Sequence, residues 1–171
     1  MKKLISVILC FIMLFPLCSF CFSTASEIKT EYLEDGSYFE SGFGEINEEA
    51  EPLGIFAKLM EFFRKLVEFF TGKKTVSRTK YLNYYSSDGR LLWSAYLEAE
   101  FSYTKNKAEC TEADFRCEIY DGDWKLDAYE ISKNGNKATA VFSVKQYKLA
   151  VPLITIEKEL TLVCDTNGNV Y

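Results

Sequence analysis

The 171-residue sequence contains no histidine. Histidine is the commonest general base near neutral pH, a frequent zinc ligand, and a member of the Ser-His-Asp and Cys-His nucleophile systems. Its absence excludes these kinds of catalytic and metal centre. No other pattern in the sequence predicts a catalytic residue, a metal site or a bound cofactor, so we expect a protein that is not an enzyme.

Basic residues are also scarce. The chain has 20 Lys and Arg against 25 Asp and Glu, a net charge of −5. Lys2 and Lys3 lie in the export signal described next, so the mature chain keeps 18 basic residues against 25 acidic ones, or −7. An acidic chain without a basic stripe is a poor ligand for nucleic acid, and we expect no nucleic-acid partner.

The N-terminus has the pattern of a secretory signal peptide. Residues 1–3 carry two lysines, residues 4–15 are almost wholly apolar, and Pro16 ends the apolar run. Small residues then lead to Ala25, as signal peptidase requires. We predict that residues 1–25 are a signal peptide cleaved after Ala25, which leaves 146 of the 171 residues as a secreted or cell-envelope protein.

Two alternatives to ordinary cleavage are weaker. A lipidated cysteine needs small residues before it, whereas Cys18 follows Leu17 and Cys21 follows Phe20. An uncleaved anchor needs about 20 apolar residues, and residues 4–22 approach that length, although Pro16 interrupts them. No later segment is long and apolar enough to span a bilayer.

Three cysteines remain after cleavage, at positions 110, 117 and 164. Export makes one disulfide plausible, with one thiol left over. The sequence does not select the pair, although a Cys110–Cys164 bond would close a long loop and stabilise the fold by roughly 4 kcal/mol. The alternative is three reduced, buried thiols that pack as small apolar side chains.

Residues 26–52 form an acidic leader with nine carboxylates and a single lysine, Lys29. Such a stretch buries too little apolar surface to offset its ordering entropy, so we predict that it is disordered.

Residues 53–72 have the period of an amphipathic helix. Charged side chains fall within an arc of roughly 120°, and the opposite side is apolar. We expect this apolar side to cover the β domain, to lie in lipid headgroups, or to dock onto a partner protein or a second copy. The residues we predict to make a partner or lipid contact are Phe56, Phe62, Phe63, Phe69 and Phe70.

From residue 74 the apolar period changes from 3.6 to 2. Apolar and polar residues alternate along residues 91–104, and turn signals such as Asp88-Gly89 and Asn134-Gly135 separate successive runs. The absence of intervening helical patterns predicts an antiparallel domain over residues 74–171 with six or seven strands. The expected fold is therefore mainly β: a single antiparallel β-sandwich or curled meander sheet, preceded by one amphipathic α-helix.

Several short motifs follow one another along residues 75–171. They are Tyr84-Tyr85-Ser86-Ser87-Asp88-Gly89-Arg90-Leu91-Leu92-Trp93, Phe101-Ser102-Tyr103, Cys110-Thr111, and Leu160-Thr161-Leu162-Val163-Cys164-Asp165 followed by Asn167-Gly168. In this respect the chain resembles a family of small secreted proteins of unknown function from Gram-positive anaerobic bacteria. The resemblance implies a β fold, export, and pairing of Cys110 with Cys164. It implies no activity or ligand.

Together these features predict a secreted or cell-envelope, non-enzymatic β module. Its partner would be an unknown protein or cell-envelope component. The helix would either contact this partner or cover the core of the β domain. The alternative is a peripheral membrane-surface protein that inserts the helix over residues 54–71 at the lipid interface.

Overall fold

The computed structural model of the protein describes residues 28–44, 72–149 and 151–171. These residues form eight strands and no helix. The strands are β1 (Lys29–Tyr32), β2 (Tyr38–Gly44), β3 (Lys74–Tyr85), β4 (Leu91–Tyr103), β5 (Ala108–Ile119), β6 (Trp124–Asn134), β7 (Lys137–Lys148) and β8 (Val151–Val163). The predicted mainly β fold is confirmed, with six strands between residues 74 and 171.

The strands form two antiparallel sheets. Sheet A has the order β1-β2-β3-β4-β5, and sheet B has the order β6-β7-β8. Within each sheet, every strand pairs with the next strand in the chain, and short turns join most of these pairs. In the β3–β4 and β6–β7 turns, Gly89 and Gly135 take φ values of 79° and 58°, which are strained for residues with a side chain. These are turns that the sequence predicts.

The inner faces of the two sheets pack against each other. The ring of Phe142 on β7 lies 6.0 Å from the ring of Trp93 on β4 and 4.9 Å from that of Phe115 on β5. At one end of the sheets, Tyr84 and Trp124 make a further contact between the layers, at 5.4 Å. These aromatic side chains are buried, and Trp93 is completely so, as its phase in β4 predicts.

The structure corrects the prediction of a disordered leader for residues 28–44, which contain β1 and β2. Phe39 on β2 is buried, with its ring 4.8 Å from Tyr84 and 6.0 Å from Trp93. The Lys158 ammonium lies 3.9 Å from the centre of the Phe39 ring and 3.3 Å from the Glu31 carboxylate. Despite its many acidic residues, this segment has a short apolar alternation, which is long enough for it to pair with β3 at the edge of sheet A.

The other predictions for the N-terminal part lie outside the described residues. They are the signal peptide over residues 1–25, the rest of the leader, and the amphipathic helix over residues 53–72, of which only Gly72 is described.

We expect Phe142→Ala to lower the free energy of unfolding by about 3–5 kcal/mol, because it empties the contact between the sheets. The matched control is Val141→Ala, at the next position on the outward face of β7, which we expect to change stability by less than about 0.5 kcal/mol. Urea unfolding of the mature chain measures both changes. Equal effects of the two substitutions would contradict this packing.

Candidate functional site

The phenylalanines predicted to make a partner contact, Phe56, Phe62, Phe63, Phe69 and Phe70, lie outside the described residues. A candidate contact surface has to be found among the strands.

Two of the predicted cysteines converge on one turn. The amide of Cys110 on β5 donates to the carbonyl of Gly135 at 2.7 Å, and the amide of Cys164 donates to the carbonyl of Asn136 at 3.0 Å. Both side chains are buried, whereas Cys117 is half-buried, and all three thiols are free. Burial raises the pKa of each thiol, that of Cys117 to about 11, so all three are protonated and weakly nucleophilic near neutral pH.

We next searched residues 28–44, 72–149 and 151–171 for metal sites, membrane-spanning helices and cavities. These ranges hold no cluster of three or more His, Cys, Asp or Glu side chains that could bind a metal ion. They also hold no helix able to span a membrane. An open cavity of about 530 Å³ lies near the end of sheet A where β4 and β5 carry several carboxylates. Its lining residues are Ser77, Arg78, Glu98, Ala99, Glu100, Glu112, Ala113, Asp114 and Lys133.

The most distinctive surface is a group of tyrosines on the outer side of sheet A, which we call the tyrosine face. Directly paired residues of neighbouring antiparallel strands share one face of a sheet. The pairs Tyr32–Tyr38, Tyr38–Tyr85 and Tyr81–Tyr96 therefore lie on one side, opposite the core. The tyrosine face consists of Tyr32, Tyr38, Tyr81, Tyr85, Tyr96 and Tyr120.

Three of these rings form a continuous row across β1, β2 and β3. The Tyr38 and Tyr85 rings stack with centres 4.8 Å apart and planes 11° apart. Tyr32 continues the row at 5.3 Å from Tyr38 and is 73% exposed. The first pair is stacked and the second is tilted, and both are favourable arrangements of neighbouring aromatic rings.

The centre of the face is built around Tyr81 and Tyr96. A Cβ atom added to Gly42 would lie 2.7 Å from the hydroxyl oxygen of Tyr81, so only glycine leaves room for that ring across the β2–β3 pair. On the other side, the Arg116 guanidinium lies 4.4 Å from the centre of the Tyr96 ring. Each of these rings therefore lies against a residue of an adjacent strand.

Polar side chains link the strands across the same surface. The buried Ser94 hydroxyl donates to Asn83 Oδ1 at 2.7 Å. The Tyr120 hydroxyl donates to the Glu118 carboxylate at 2.5 Å. Glu118 pairs with Ser94 across β4 and β5, which places Tyr120 beside the same network.

Three hydroxyls of the tyrosine face, those of Tyr81, Tyr85 and Tyr120, stay protonated near neutral pH. The hydrogen bond to Glu118, followed by burial, raises the pKa of Tyr120 to about 12. Burial and the nearby charge of Glu40 raise the pKa of Tyr81 and of Tyr85. Each of these hydroxyls is therefore a neutral group able to donate and accept hydrogen bonds.

The arrangement is suited to recognition. Tyrosine offers a large, rigid contact area with a polar tip and loses little conformational entropy on binding. Tyrosine and arginine are enriched at protein interfaces, and serine, asparagine and glycine accompany tyrosine in adaptable binding surfaces. All of these residue types meet on this face.

The sequence did not predict this face. Alternation along β3 separates Tyr81, Asn83 and Tyr85 from the inward-facing Leu82 and Tyr84. That alternation was detectable, but the tyrosines of β1, β2 and β4 join those of β3 only through strand register. The disorder predicted for the leader hid two of the six residues.

Comparison with known proteins adds no assignment. No family model matches the chain, and no curated protein is found to match it. A solved structure, that of a hypothetical protein from Listeria monocytogenes EGD-e, is 19% identical, with a TM-score of 0.36. The match covers 81% of this chain and 91% of that one.

We expect Glu118→Gln to lower the pKa of Tyr120 from about 12 toward the ordinary value of about 10, because the substitution removes the charged acceptor. Glu112→Gln, on the same strand and face, is the control. NMR titration of ring-labelled tyrosine gives both values. A Tyr120 pKa that stays near 12 in Glu118→Gln would contradict this network.

The same shift sets a stability change with pH. A raised pKa means that the folded chain holds the Tyr120 proton above the pH at which the unfolded chain loses it. The contribution is complete below about pH 10 and declines as the pH rises toward 12, and this decline should be smaller in Glu118→Gln.

Proposed function

We propose that residues 26–171 are an exported, non-enzymatic binding module of the extracellular space or cell envelope. The tyrosine face contacts its partner, which is a protein or a cell-envelope component. The observation that carries this proposal is the position of six tyrosines on the side of sheet A that turns away from the core.

Core packing does not account for these rings. The inner face of sheet A supplies Phe39, Trp93 and Phe115 to the contacts with sheet B or with other core side chains. The outward tyrosines instead contact one another and polar side chains. Cross-strand pairs of this kind stabilise a sheet by about 0.2–1 kcal/mol each, so a test has to separate stability from binding.

A second candidate function is attachment to a membrane surface through the helix predicted over residues 54–71. Lipid contact is favoured by a feature of the described strands rather than of the helix. The end of the β7–β8 hairpin is apolar and exposed, and Leu149 is its most exposed side chain.

We expect the Tyr38→Ala/Tyr85→Ala double variant to lower retention at the cell envelope at least tenfold, because interface tyrosines often contribute well over 1 kcal/mol each. The measurement is quantitative immunoblotting of the envelope and culture-medium fractions from a Gram-positive host that exports the tagged chain. The wild-type protein should appear there without residues 1–25.

Two controls accompany this test. Tyr171→Ala removes an exposed tyrosine outside the tyrosine face and should leave the distribution unchanged. Urea unfolding establishes whether the double variant is still folded at the growth temperature. The proposal fails if the folded double variant is distributed like wild type, or if the unprocessed chain stays inside the cell.

We also propose that Cys110 and Cys164 form a disulfide in the exported protein. The support is that both backbones hydrogen-bond to the same turn, Cys110 to Gly135 and Cys164 to Asn136. These bonds bring β5 and the end of β8 together at that turn. Oxidation would transfer two electrons and two protons from the two thiols to an oxidised dithiol carrier, which is reduced as the S–S bond forms.

Non-reducing peptide mapping tests this pairing. We expect a linked pair of peptides containing residues 110 and 164, with Cys117 available to alkylation after denaturation. Cys117→Ser should keep the link, whereas Cys110→Ser should lose it and lower stability by roughly 4 kcal/mol under oxidising conditions. Recovery of three free thiols from the secreted protein would contradict the proposal.

A further inference from the structure

The β7–β8 hairpin extends past the rest of sheet B. β6 begins at Trp124, which pairs with Gln146 on β7, and beyond this position β7 has only β8 beside it within sheet B. The amide of Tyr147 donates to the carbonyl of Asp123 at 2.7 Å, and this bond marks the base of the projection. We call Leu149 and residues 151–154, which lie beyond this base, the hairpin tip.

The hairpin tip is apolar and open to solvent on both of its faces. Leu149 is 94% exposed, Val151 59% and Leu153 57%. Leu153 is an extra residue of β8 at the register shift between Gln146 and Tyr147. The pairs Lys148–Val151 and Gln146–Ile154 share one face of the hairpin, and the pair Tyr147–Pro152 lies on the other. All four residues of β8 from position 151 to 154 are exposed, and none of them contributes to the core.

The base of the tip carries an aromatic ring and basic groups. The Lys125 ammonium lies 5.5 Å from the centre of the Tyr147 ring, and Lys148 is exposed beside them. Lys145 is 2.9 Å from Asp127, which offsets its charge. With Asp123 counted, Lys125 and Lys148 leave one net positive charge at this end of an acidic protein.

We propose that the hairpin tip inserts into the boundary between headgroups and acyl chains of a lipid bilayer. Lipid surrounds an inserted element on every side, whereas a flat protein surface would cover one face of the hairpin and leave the other exposed. Tyrosine and lysine are the residues that lie at headgroup level around apolar segments. Tyr147, Lys125 and Lys148 occupy that position relative to Leu149 and Val151.

The strength of the contact follows from its size. A few apolar side chains give reversible binding, comparable to a single myristoyl chain with an association constant on the order of 10⁴ M⁻¹. One net positive charge adds a factor of about five on anionic lipid. We therefore expect measurable binding at about 1 mM lipid, on zwitterionic as well as anionic vesicles.

Vesicle flotation of the mature chain, residues 26–171, tests the proposal. The probes are phosphatidylcholine vesicles and vesicles that contain phosphatidylglycerol as well. We expect Leu149→Ser/Leu153→Ser to weaken binding at least tenfold, because both substitutions remove apolar area that enters the lipid. Val141→Ser, which changes an exposed valine on the outer face of the same hairpin, is the matched control and should bind like wild type.

A second variant distinguishes lipid binding by the predicted helix from lipid binding by the hairpin tip. Phe62→Glu/Phe69→Glu removes any lipid contact of residues 54–71 and should leave the effect of the tip substitutions in place. If the helix variant alone abolishes flotation and the tip variant floats like wild type, the proposal is overturned in favour of the helix. Absence of wild-type flotation at about 5 mM lipid, some fifty times the lipid concentration for half-binding implied by the association constant, also overturns it.

A spectroscopic measurement reports on the tip directly. Leu149→Trp should show a blue-shifted emission and quenching by brominated lipid when vesicles are added. Trp93 and Trp124 are buried and should not respond. If the tip substitutions change envelope retention in cells without any response to vesicles, the tip binds a protein and lipid insertion is contradicted.

Discussion

The contact of Phe142 with Trp93 and Phe115 is the constraint on which the other features of the structure depend. It joins sheet B to β4 and β5 of sheet A through aromatic rings that are removed from water. Once these inner positions are fixed, alternation along each regularly paired segment decides which side chains point outward. The outward tyrosines of sheet A are a consequence of that register.

The same contact explains how a short acidic segment becomes part of the fold. Phe39 meets the edge of the aromatic cluster through Tyr84 and Trp93, and this burial holds β2 against β3. β2 in turn provides Tyr38 and the Gly42 position over which Tyr81 lies. Core packing and the outer surface are thus linked through one edge of sheet A.

Sequence patterns predicted the β domain well and the candidate surface not at all. Alternation along β4 and turn signals such as Asn134-Gly135 are local, so they identify strands, turns and the burial of Trp93. The tyrosine face depends on pairings such as Tyr38 with Tyr85, which lie 47 residues apart and have no local signal. The acidic composition of residues 26–52 also led to a prediction of disorder, although Phe39 and Phe43 place β2 in sheet A.

Solvent accessibility of the tyrosine rings in the complete mature chain tests the central claim most directly. With a soluble paramagnetic agent, NMR should show strong relaxation enhancement at the ring protons of Tyr32 and Tyr120, partial enhancement at Tyr38 and Tyr85, and protection of Trp93 and Phe142. Protection of all the tyrosine rings would mean that the rest of the chain covers this side of sheet A. That result would contradict its role as a contact surface.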